Sequence, residues 1–381
     1  MSAASHPSAA RSAEGDLPTA FTDFDRAAMA QALALAERGL FTTTPNPRVG
    51  CVIARAGAVI GEGFHARTGE AHAETLALAD AGSRGHDARG ATLYVTLEPC
   101  NHRGRTSPCT EAILAAGIAR VVAAMPDPNP AAAQGAARLR AAGVQVTVGL
   151  MEREAREINV GFVSRMTRGV PWVRLKSATS LDGRTALING RSQWITGEAA
   201  RADGHRWRAR ACALLTGVGT VIADDPALTV RAVETSRQPL RVVIDRHAKT
   251  PADARVLADG HALVVTTGAR NAVWPEGVES LALPDAAGRI DLEALMRELA
   301  RRGINELHVE AGARLNGALM RAGLVDEVLH YVAPSVIGDP ARGMFEWAAP
   351  LEALDGRVAL AWQSVDRVGA DLRVVERVLR S

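Results

Sequence analysis

The sequence has little lysine, few aromatic residues and no long apolar run. Lysine occurs only at Lys176 and Lys249, so nearly all of the positive charge is carried by arginine. The 44 basic and 42 acidic residues leave a formal charge of +2, which excludes a strong overall field for attracting nucleic acid. No run approaches the roughly 18 apolar residues of a membrane span, and residues 1–20 lack the apolar core of a signal peptide. We therefore expect a soluble, cytoplasmic protein that binds neither membranes nor nucleic acid.

Cysteine is also scarce, and its distribution is uneven. Four cysteines in 381 residues are too few for a disulfide framework, and Cys100 and Cys109 follow a histidine motif. Cys51 and Cys212 lie in apolar runs, where a free cysteine usually behaves as a small hydrophobic residue. This usage agrees with a reducing compartment and points to metal binding rather than to disulfide bonds.

The chain length predicts about two domains. Strand and helix patterns alternate in both halves, and Gly169-Val170-Pro171 between them is a plausible break because proline ends helices. We predict a disordered N-terminus at residues 1–22, a first domain at 23–168 and a second at 169–381. Both should be α/β units, the first a sandwich in which helices cover a mixed sheet. One long helix is expected at 151–166, and a hairpin through Ala56-Gly57.

His72, Cys100 and Cys109 form a candidate zinc site. Catalytic zinc takes three imidazole or thiolate ligands from the protein, so that water can hold the fourth position. His72 opens a predicted helix, Cys100 follows a predicted strand and Cys109 precedes another helix. All three residues are therefore placed at ends of predicted elements, where they can come together. Glu74 can stand beside the metal without ligating it and move a proton from water to a leaving amine. This pattern predicts a hydrolytic deaminase.

Two other interpretations are open at this point. His102 could serve as a fourth ligand, giving a closed zinc site in a non-enzymatic binding protein, although such a site has no use for Glu74. Alternatively, the deaminase could act on a free nucleobase or a tRNA beside an unrelated second domain, although the low net charge argues against RNA. His65 is undecided between a metal ligand, a substrate contact and a satisfied polar residue.

The order of motifs from Asp25 to the C-terminus resembles that of the bifunctional riboflavin-biosynthesis deaminase/reductase family. His-Ala-Glu followed by Pro-Cys and a further Cys is the signature of zinc nucleobase deaminases, and the eight residues between Cys100 and Cys109 are similar to the insert of the riboflavin branch. Other matching segments of the first half are Pro45-Asn46-Pro47-Arg48-Val49-Gly50, Glu98-Pro99, Gly104-Arg105-Thr106 and Asp127-Pro128-Asn129-Pro130. Those of the second half are Lys176, Ser180-Leu181-Asp182-Gly183-Arg184, Ser192-Gln193-Trp194-Ile195-Thr196, Asp224-Asp225-Pro226-Ala227-Leu228-Thr229-Val230-Arg231 and Glu310-Ala311-Gly312.

The resemblance implies two consecutive activities. The first is the zinc-dependent deamination of 2,5-diamino-6-(5-phosphoribosylamino)pyrimidin-4(3H)-one on a cytidine-deaminase-like α/β/α sandwich. The second is the NADPH-dependent reduction of the ribosyl group to a ribityl chain, giving 5-amino-6-(5-phosphoribitylamino)uracil, on a dihydrofolate-reductase-like α/β domain. A homodimer or higher homo-oligomer is the family expectation. Because no Gly-x-Gly-x-x-Gly segment follows a strand, the cofactor itself cannot be deduced from a Rossmann fingerprint.

The resemblance also implies the site residues. Glu74 would be catalytic and Asn46 would contact the deaminase substrate, although an asparagine between two prolines is equally a turn residue. Residues expected to contact NADPH are Ala178, Trp194, Thr220, Asp224, Gly312, Ala313, Arg314, Leu315, Asn316, Gly317 and Ala318. Residues expected to contact the reductase substrate are Ser192, Arg208, Leu228, Arg231 and Glu310. The chemistry agrees in part, because a helix N-terminus after Gly312 suits a pyrophosphate, and arginine forks suit a phosphate.

Overall fold

The computed structural model describes residues 21–103, 107–268 and 273–380. Residues 1–20 of the predicted disordered segment lie outside these ranges, as do Gly104, Arg105 and Thr106 of the cysteine insert. Within the described ranges the chain forms two α/β units, each built around its own sheet.

The first unit is a mixed sheet packed with helices, as predicted. Its strands, in the described part of the chain, are β1 (Gly50–Arg55), β2 (Ala58–Phe64), β3 (Thr92–Val95), β4 (Arg120–Ala123) and β5 (Gln145–Val148). Its helices are α1 (Asp23–Glu37), α2 (Ala73–Ser83), α3 (Cys109–Ala115), α4 (Gly135–Ala141), α5 (Glu152–Ile158) and α6 (Val160–Arg168). The strand order is β2-β1-β3-β4-β5, with β1 antiparallel to both neighbours and β3, β4 and β5 parallel.

Close packing of α2 on the β1–β2 hairpin positions the first turn of that helix. The predicted hairpin turn is present, with φ of 50° at Ala56 and 78° at Gly57. Facing α2, Gly61 and Gly63 of β2 leave no room for a side chain, since a Cβ at either would lie 2.4 Å from a carbonyl oxygen of the helix. The two glycines therefore let α2, and the residues at its N-terminus, approach the sheet closely.

The single helix predicted at 151–166 is wrong, because α5 and α6 are separated at Asn159. The side chain of Asn159 binds the backbone of Arg48: the Arg48 N–H donates to Oδ1 at 2.8 Å, and Nδ2 donates to the Arg48 carbonyl at 2.9 Å. Periodicity along 151–166 contains no trace of this contact, because the partner lies 111 residues away.

The second unit is built around a long, mostly parallel sheet. Its strands, among the described residues, are β6 (Trp172–Ser180), β7 (Arg184–Leu187), β8 (Ala213–Gly217), β9 (Leu240–Ile244), β10 (Ala262–Thr266), β11 (Glu279–Ala282), β12 (Glu306–Val309), β13 (Glu327–Ala333), β14 (Ala341–Gly343), β15 (Leu360–Val368) and β16 (Asp371–Val378). Its helices are α7 (Glu198–Arg210), α8 (Val218–Asp224), α9 (Leu292–Arg301) and α10 (Ala313–Arg321).

The main sheet of the second unit has the order β11-β10-β9-β8-β12-β6-β13-β16-β15. The strands from β11 to β13 are parallel, whereas β16 and β15 add an antiparallel hairpin at one edge. The strand and helix patterns along residues 172–332 predict β6, β8, β9, β10, β12, β13, α7, α9 and α10. They do not predict α8, the short strands β7, β11 and β14, or the C-terminal hairpin. Within residues 21–103, 107–268 and 273–380, no helix is long and apolar enough to cross a membrane.

Candidate active sites

The three predicted zinc ligands meet at one edge of the first sheet. His72 is the N-cap of α2, Cys109 is the first residue of α3, and Cys100 lies in the loop after β3. Their potential ligand atoms all lie within 4.8 Å of one another, and His72 Nδ1 is 3.2 Å from Cys109 Sγ and 3.5 Å from Cys100 Sγ. Two thiols and one imidazole at this spacing suit the three protein positions of a catalytic zinc site.

The electrostatics of this cluster favour a thiolate at the metal position. Hydrogen bonds from Cys109 and His72 lower the pKa of Cys100 below its ordinary value. The hydrogen bond to Cys100 in turn raises the pKa of His72. Among the described residues, the metal-ligating group comprises His72, Cys100 and Cys109, so His102 does not complete a closed four-ligand site.

Glu74 lies in the first turn of α2 and is only 4% exposed. Burial raises the pKa of Glu74 to about 7, well above the ordinary value of a glutamate. A group with such a pKa can accept a proton and return it within one catalytic cycle. Glu74 is two residues after His72 and lies beside the candidate metal site, but it is not one of the three potential ligands.

Asn46 lines the same cavity as His72 and Glu74, and its side chain is hydrogen-bonded to His65. The Nδ1 atom of His65 is 3.1 Å from the Ala71 carbonyl oxygen, which requires an N–H there and leaves Nε2 as an acceptor. Nε2 accepts a hydrogen bond from Asn46 Nδ2 at 3.0 Å. Burial lowers the pKa of His65, which favours this neutral ring. With its Nδ2 bound to His65, Asn46 offers its amide oxygen as a further hydrogen-bond acceptor.

A cavity of about 500 Å³ connects these residues, and the second unit contributes to its wall. His102, Asp127 and Asn129 line it from loops, and Arg165 of α6 and Gly303 line it from the far side. Burial raises the pKa of Asp127 to about 6. Arg165 and Gly303 could not be recognised from the sequence, because no local pattern connects them with the zinc motif.

The neighbouring parallel strands β8 and β12 end side by side, where they pass into α8 and α10. The space between the N-termini of these two helices is the second, or reductase, cleft. Thr220 and Asp224 belong to α8, and Gly312 is the N-cap of α10 with the extended angles φ −79° and ψ 168°. A Cβ at Gly312 would have Thr220 Oγ1, at 4.0 Å, as its nearest neighbour, and one at Gly219 would meet nothing within 4 Å. The cleft therefore has room and free helical N–H groups for a pyrophosphate.

The other predicted NADPH residues are distributed unevenly around this cleft. Ala178 is half-buried on β6, and Trp194 is 69% exposed with the Arg201 guanidinium 4.6 Å from its ring centroid. Asn316 and Gly317 face the protein: Asn316 Nδ2 donates to the Met344 carbonyl at 3.1 Å, and a Cβ at Gly317 would clash with the Glu346 carbonyl. The remaining predicted positions in the first turns of α10 are Ala313, Arg314, Leu315 and Ala318.

The predicted reductase-substrate residues include a tight ion pair. Arg208 of α7 donates to both carboxylate oxygens of Glu310, at 2.5 and 2.8 Å, and Lys176 Nζ lies 4.0 Å from the same carboxylate. Arg208 thus meets Glu310 rather than standing free. Arg231 is exposed, with Nη1 donating to Thr229 Oγ1 at 3.0 Å.

The last two predicted substrate residues differ in accessibility. Leu228 is 3% exposed, has a φ of 47° and packs against apolar residues including Val221 and Val243. Ser192 is half-buried in the loop between β7 and α7.

Fold and site together define a zinc deaminase fused to a reductase. The model of the cytidine and deoxycytidylate deaminase zinc-binding region matches residues 22–125, and the model of the RibD C-terminal domain matches residues 171–374. The chain belongs to the bifunctional riboflavin-biosynthesis deaminase/reductase family.

Relatives match the chain over most of its length. It is 48% identical to riboflavin biosynthesis protein RibD of Escherichia coli K12, covering 90% of this chain and 96% of that protein. It is 44% identical to RibD of Haemophilus influenzae, with 93% and 97% covered. The solved structure of Acinetobacter baumannii RibD, form 1, has a TM-score of 0.86 at 42% identity and covers 94% of this chain and 99% of that one.

Membership of the family establishes both activities. The chain is an enzyme of riboflavin biosynthesis with a zinc-dependent deaminase and an NADPH-dependent reductase, acting on a small-molecule substrate. The predicted cytidine-deaminase-like and reductase folds are likewise confirmed. The two alternatives, a tRNA or free-base deaminase with an unrelated partner domain and a non-enzymatic zinc protein, are not supported.

Proposed function

We propose that the first site deaminates 2,5-diamino-6-(5-phosphoribosylamino)pyrimidin-4(3H)-one and the second reduces the ribosyl group of the product. The observation that carries the proposal is the convergence of Glu74 and the three ligands in one cavity on a chain that also has the reductase cleft. A Thermotoga maritima structure named as diaminohydroxyphosphoribosylaminopyrimidine deaminase and 5-amino-6-(5-phosphoribosylamino)uracil reductase has a TM-score of 0.86 to this chain at 34% identity. A coupled assay tests it: purified enzyme should release ammonia without NADPH and oxidise NADPH only after deamination.

In the deaminase site, His72, Cys100 and Cys109 hold zinc, which when bound supplies a nucleophile from water at neutral pH. Glu74 accepts a proton from the attacking water and returns it to the amine at ring position 2, which leaves as ammonia. The amide oxygen of Asn46, oriented by His65, accepts a hydrogen bond from the substrate.

In the reductase site, NADPH would supply the hydride when bound, and the N-terminus of α10 at Gly312 would hold its pyrophosphate. The cofactor side is formed by Ala178, Trp194, Thr220, Asp224, Gly312, Ala313, Arg314, Leu315 and Ala318. Asn316 and Gly317 face the protein and hold α10 in place. Ser192, Arg231, Arg208 and Glu310 form the substrate side, whereas the side chain of Leu228 is buried among apolar residues. Arg231 is the arginine most available for the phosphate, because Arg208 is paired with Glu310.

Replacing Gly312 with valine should raise the KM for NADPH by about tenfold or more, because the added side chain would occupy the space in which a pyrophosphate approaches the helix. The angles of Gly312 are open to any residue, so the variant should fold. Steady-state NADPH oxidation with deaminated substrate measures the effect. Ammonia release should stay at the level of the unmodified enzyme, and an unchanged KM for NADPH would place the cofactor elsewhere.

The proposed domain boundary is residue 168, with the deaminase domain at 23–168 and the reductase domain at 169–381. It is supported by the end of α6 at Arg168, by Gly169 in the left-handed conformation that commonly ends helices, and by the start of β6 at Trp172. A cytoplasmic location is proposed from the thiolate chemistry of the zinc site, because a reducing compartment preserves free thiols.

A homodimer is proposed through the edge strand β15. Its exposed face carries Leu360, Trp362 and Val365, of which Trp362 is 71% exposed, and a long apolar edge strand is a surface that proteins normally cover. Trp362→Asp should therefore shift the enzyme from dimer to monomer in sedimentation equilibrium. Val273→Asp, which alters an exposed residue after β10, should leave the mass unchanged. A dimeric Trp362→Asp variant would move the interface away from β15.

A further inference from the structure

The loop that carries Asn46 is hydrogen-bonded to the reductase unit through its backbone. The carbonyl oxygen of Pro45 accepts hydrogen bonds from Asn305 Nδ2 at 3.0 Å and from Arg165 Nη2 at 3.2 Å. Arg165 also donates through Nε to Asn305 Oδ1 at 2.6 Å, which fixes the orientation of that amide. Asn305 directly precedes β12, so a residue of the reductase sheet binds the backbone next to a candidate substrate contact of the deaminase.

Two residues beyond Asn46, Arg48 inserts its side chain into the reductase unit. Its Nη1 donates to Glu306 Oε1 at 2.6 Å, and both side chains are buried. The second carboxylate oxygen of Glu306 accepts from Arg174 at 3.0 Å and Arg210 at 2.7 Å. Burial alone would raise the pKa of Glu306, but the guanidinium groups lower it well below its ordinary value. The carboxylate is therefore a permanent buried anchor for the Asn46 loop.

Two further contacts complete the attachment of this loop. Thr44 Oγ1 lies 2.8 Å from the sulfur of Cys212, which precedes β8 of the reductase. At the other end, Asn159 binds the N–H and carbonyl of Arg48. The segment from Thr44 to Arg48 is thus fixed on both sides of Asn46, and three of its anchors, Cys212, Asn305 and Glu306, come from the second half of the chain.

We propose that Asn305 and Glu306 are positioning residues for the deaminase, and that the deaminase site is complete only with the reductase unit docked against it. The inference rests on the proposed contact of Asn46 with the substrate. Asn305 and Glu306 hold the Pro45 carbonyl and the Arg48 side chain, and thereby set where the Asn46 amide oxygen lies. Small displacements of a substrate-binding group are costly in rate, because binding energy is productive only in a well-oriented complex.

We expect the deaminase activity to depend on Asn305, and the reductase activity to be independent of its side chain. Strand β12 runs from Glu306 to Val309 and leads directly to Glu310 in the reductase site. Its neighbours β6 and β8 hold it in register along its length. Loss of a contact made by Asn305 to the deaminase loop should therefore disturb that loop and leave the reductase end of the strand in place.

The test uses the full-length enzyme with Asn305→Ala. Losing the hydrogen bond to Pro45 and the support of Arg165 should lower deaminase kcat/KM by about tenfold, mainly through a higher KM. NADPH oxidation with separately supplied deaminated substrate should not change. Asn305→Asp should be impaired at least as much, since it retains an acceptor for Arg165 but sets a carboxylate oxygen against the Pro45 carbonyl. Ser164→Ala is the matched control: Ser164 lies next to Arg165 on α6, and the change removes its hydrogen bonds with Val170 and Arg168 without touching the Asn46 loop.

Asn46→Ala and the double variant with Asn305→Ala distinguish the possible outcomes. If Asn305 acts through Asn46, the double variant should be no slower than Asn46→Ala alone. Full deaminase activity in Asn305→Ala, or equal losses of both activities, would overturn the positioning role. An unaffected KM in Asn46→Ala would instead overturn the proposed substrate contact of Asn46, whatever the Asn305 variants do.

Discussion

Replacing Glu74 with glutamine should lower the kcat of deamination by about 10²- to 10⁴-fold, the usual contribution of general acid–base catalysis. The buried carboxyl has a pKa of about 7 and can accept and return a proton near neutral pH, whereas an amide can do neither. Ammonia release at saturating substrate measures the effect. Reduction of separately supplied deaminated substrate should proceed at the normal rate, because the reductase cleft uses none of these atoms.

The matched control for this variant is Glu111→Gln. Glu111 lies in the first turn of α3 and its side chain is 55% exposed, so the change removes an acidic group near the zinc ligands without altering a buried one. It should deaminate almost normally. Undiminished ammonia release by Glu74→Gln at equal zinc content would show that another group carries the proton.

Replacing Cys109 with alanine should abolish deamination and remove the bound zinc, with reductase activity retained. Two remaining ligands cannot form the three-ligand site that catalytic zinc requires. Because the zinc site lies in the first unit, the second unit and its cleft should be intact. Zinc content by elemental analysis, ammonia release and NADPH oxidation on the same preparation measure all three consequences.

Cys51→Ala controls for the loss of a buried thiol. Cys51 lies on β1 in the core of the first unit, outside the group of potential ligands, so this variant should keep about one zinc per chain. Full zinc content in Cys109→Ala would mean that another residue supplies the third ligand. Loss of zinc with unchanged deamination would show that the reaction does not require the metal.

Much of the fold could be predicted, because local patterns record which face of an element is buried. Alternation of strands and helices predicted the α/β character of both units, and the turn at Ala56-Gly57 predicted the first hairpin. The missed elements have weaker local patterns. Helix α8 spans only Val218 to Asp224, and β15 is an edge strand whose exposed face carries apolar residues, so its alternation does not indicate a buried side.

The candidate sites were predictable to different degrees. Zinc chemistry restricts ligands to a few residue types, so His72, Cys100 and Cys109 could be found from type and order alone. The reductase residues depended on family resemblance, and their pairing could not be foreseen. Arg208 is bound to Glu310, 102 positions away, although a free fork for the substrate phosphate was expected.

The sequence by itself determined the chemistry of the protein: a three-ligand zinc site with an adjacent acid, and the motif order of a two-activity enzyme. Only the tertiary structure decided how the two halves support each other. Arg48 meets Glu306 across 258 positions, and Asn305 meets Pro45 across 260. Spacing and periodicity encode neighbours within one element, whereas contacts between distant elements arise when the sheets pack, so no local pattern could reveal them.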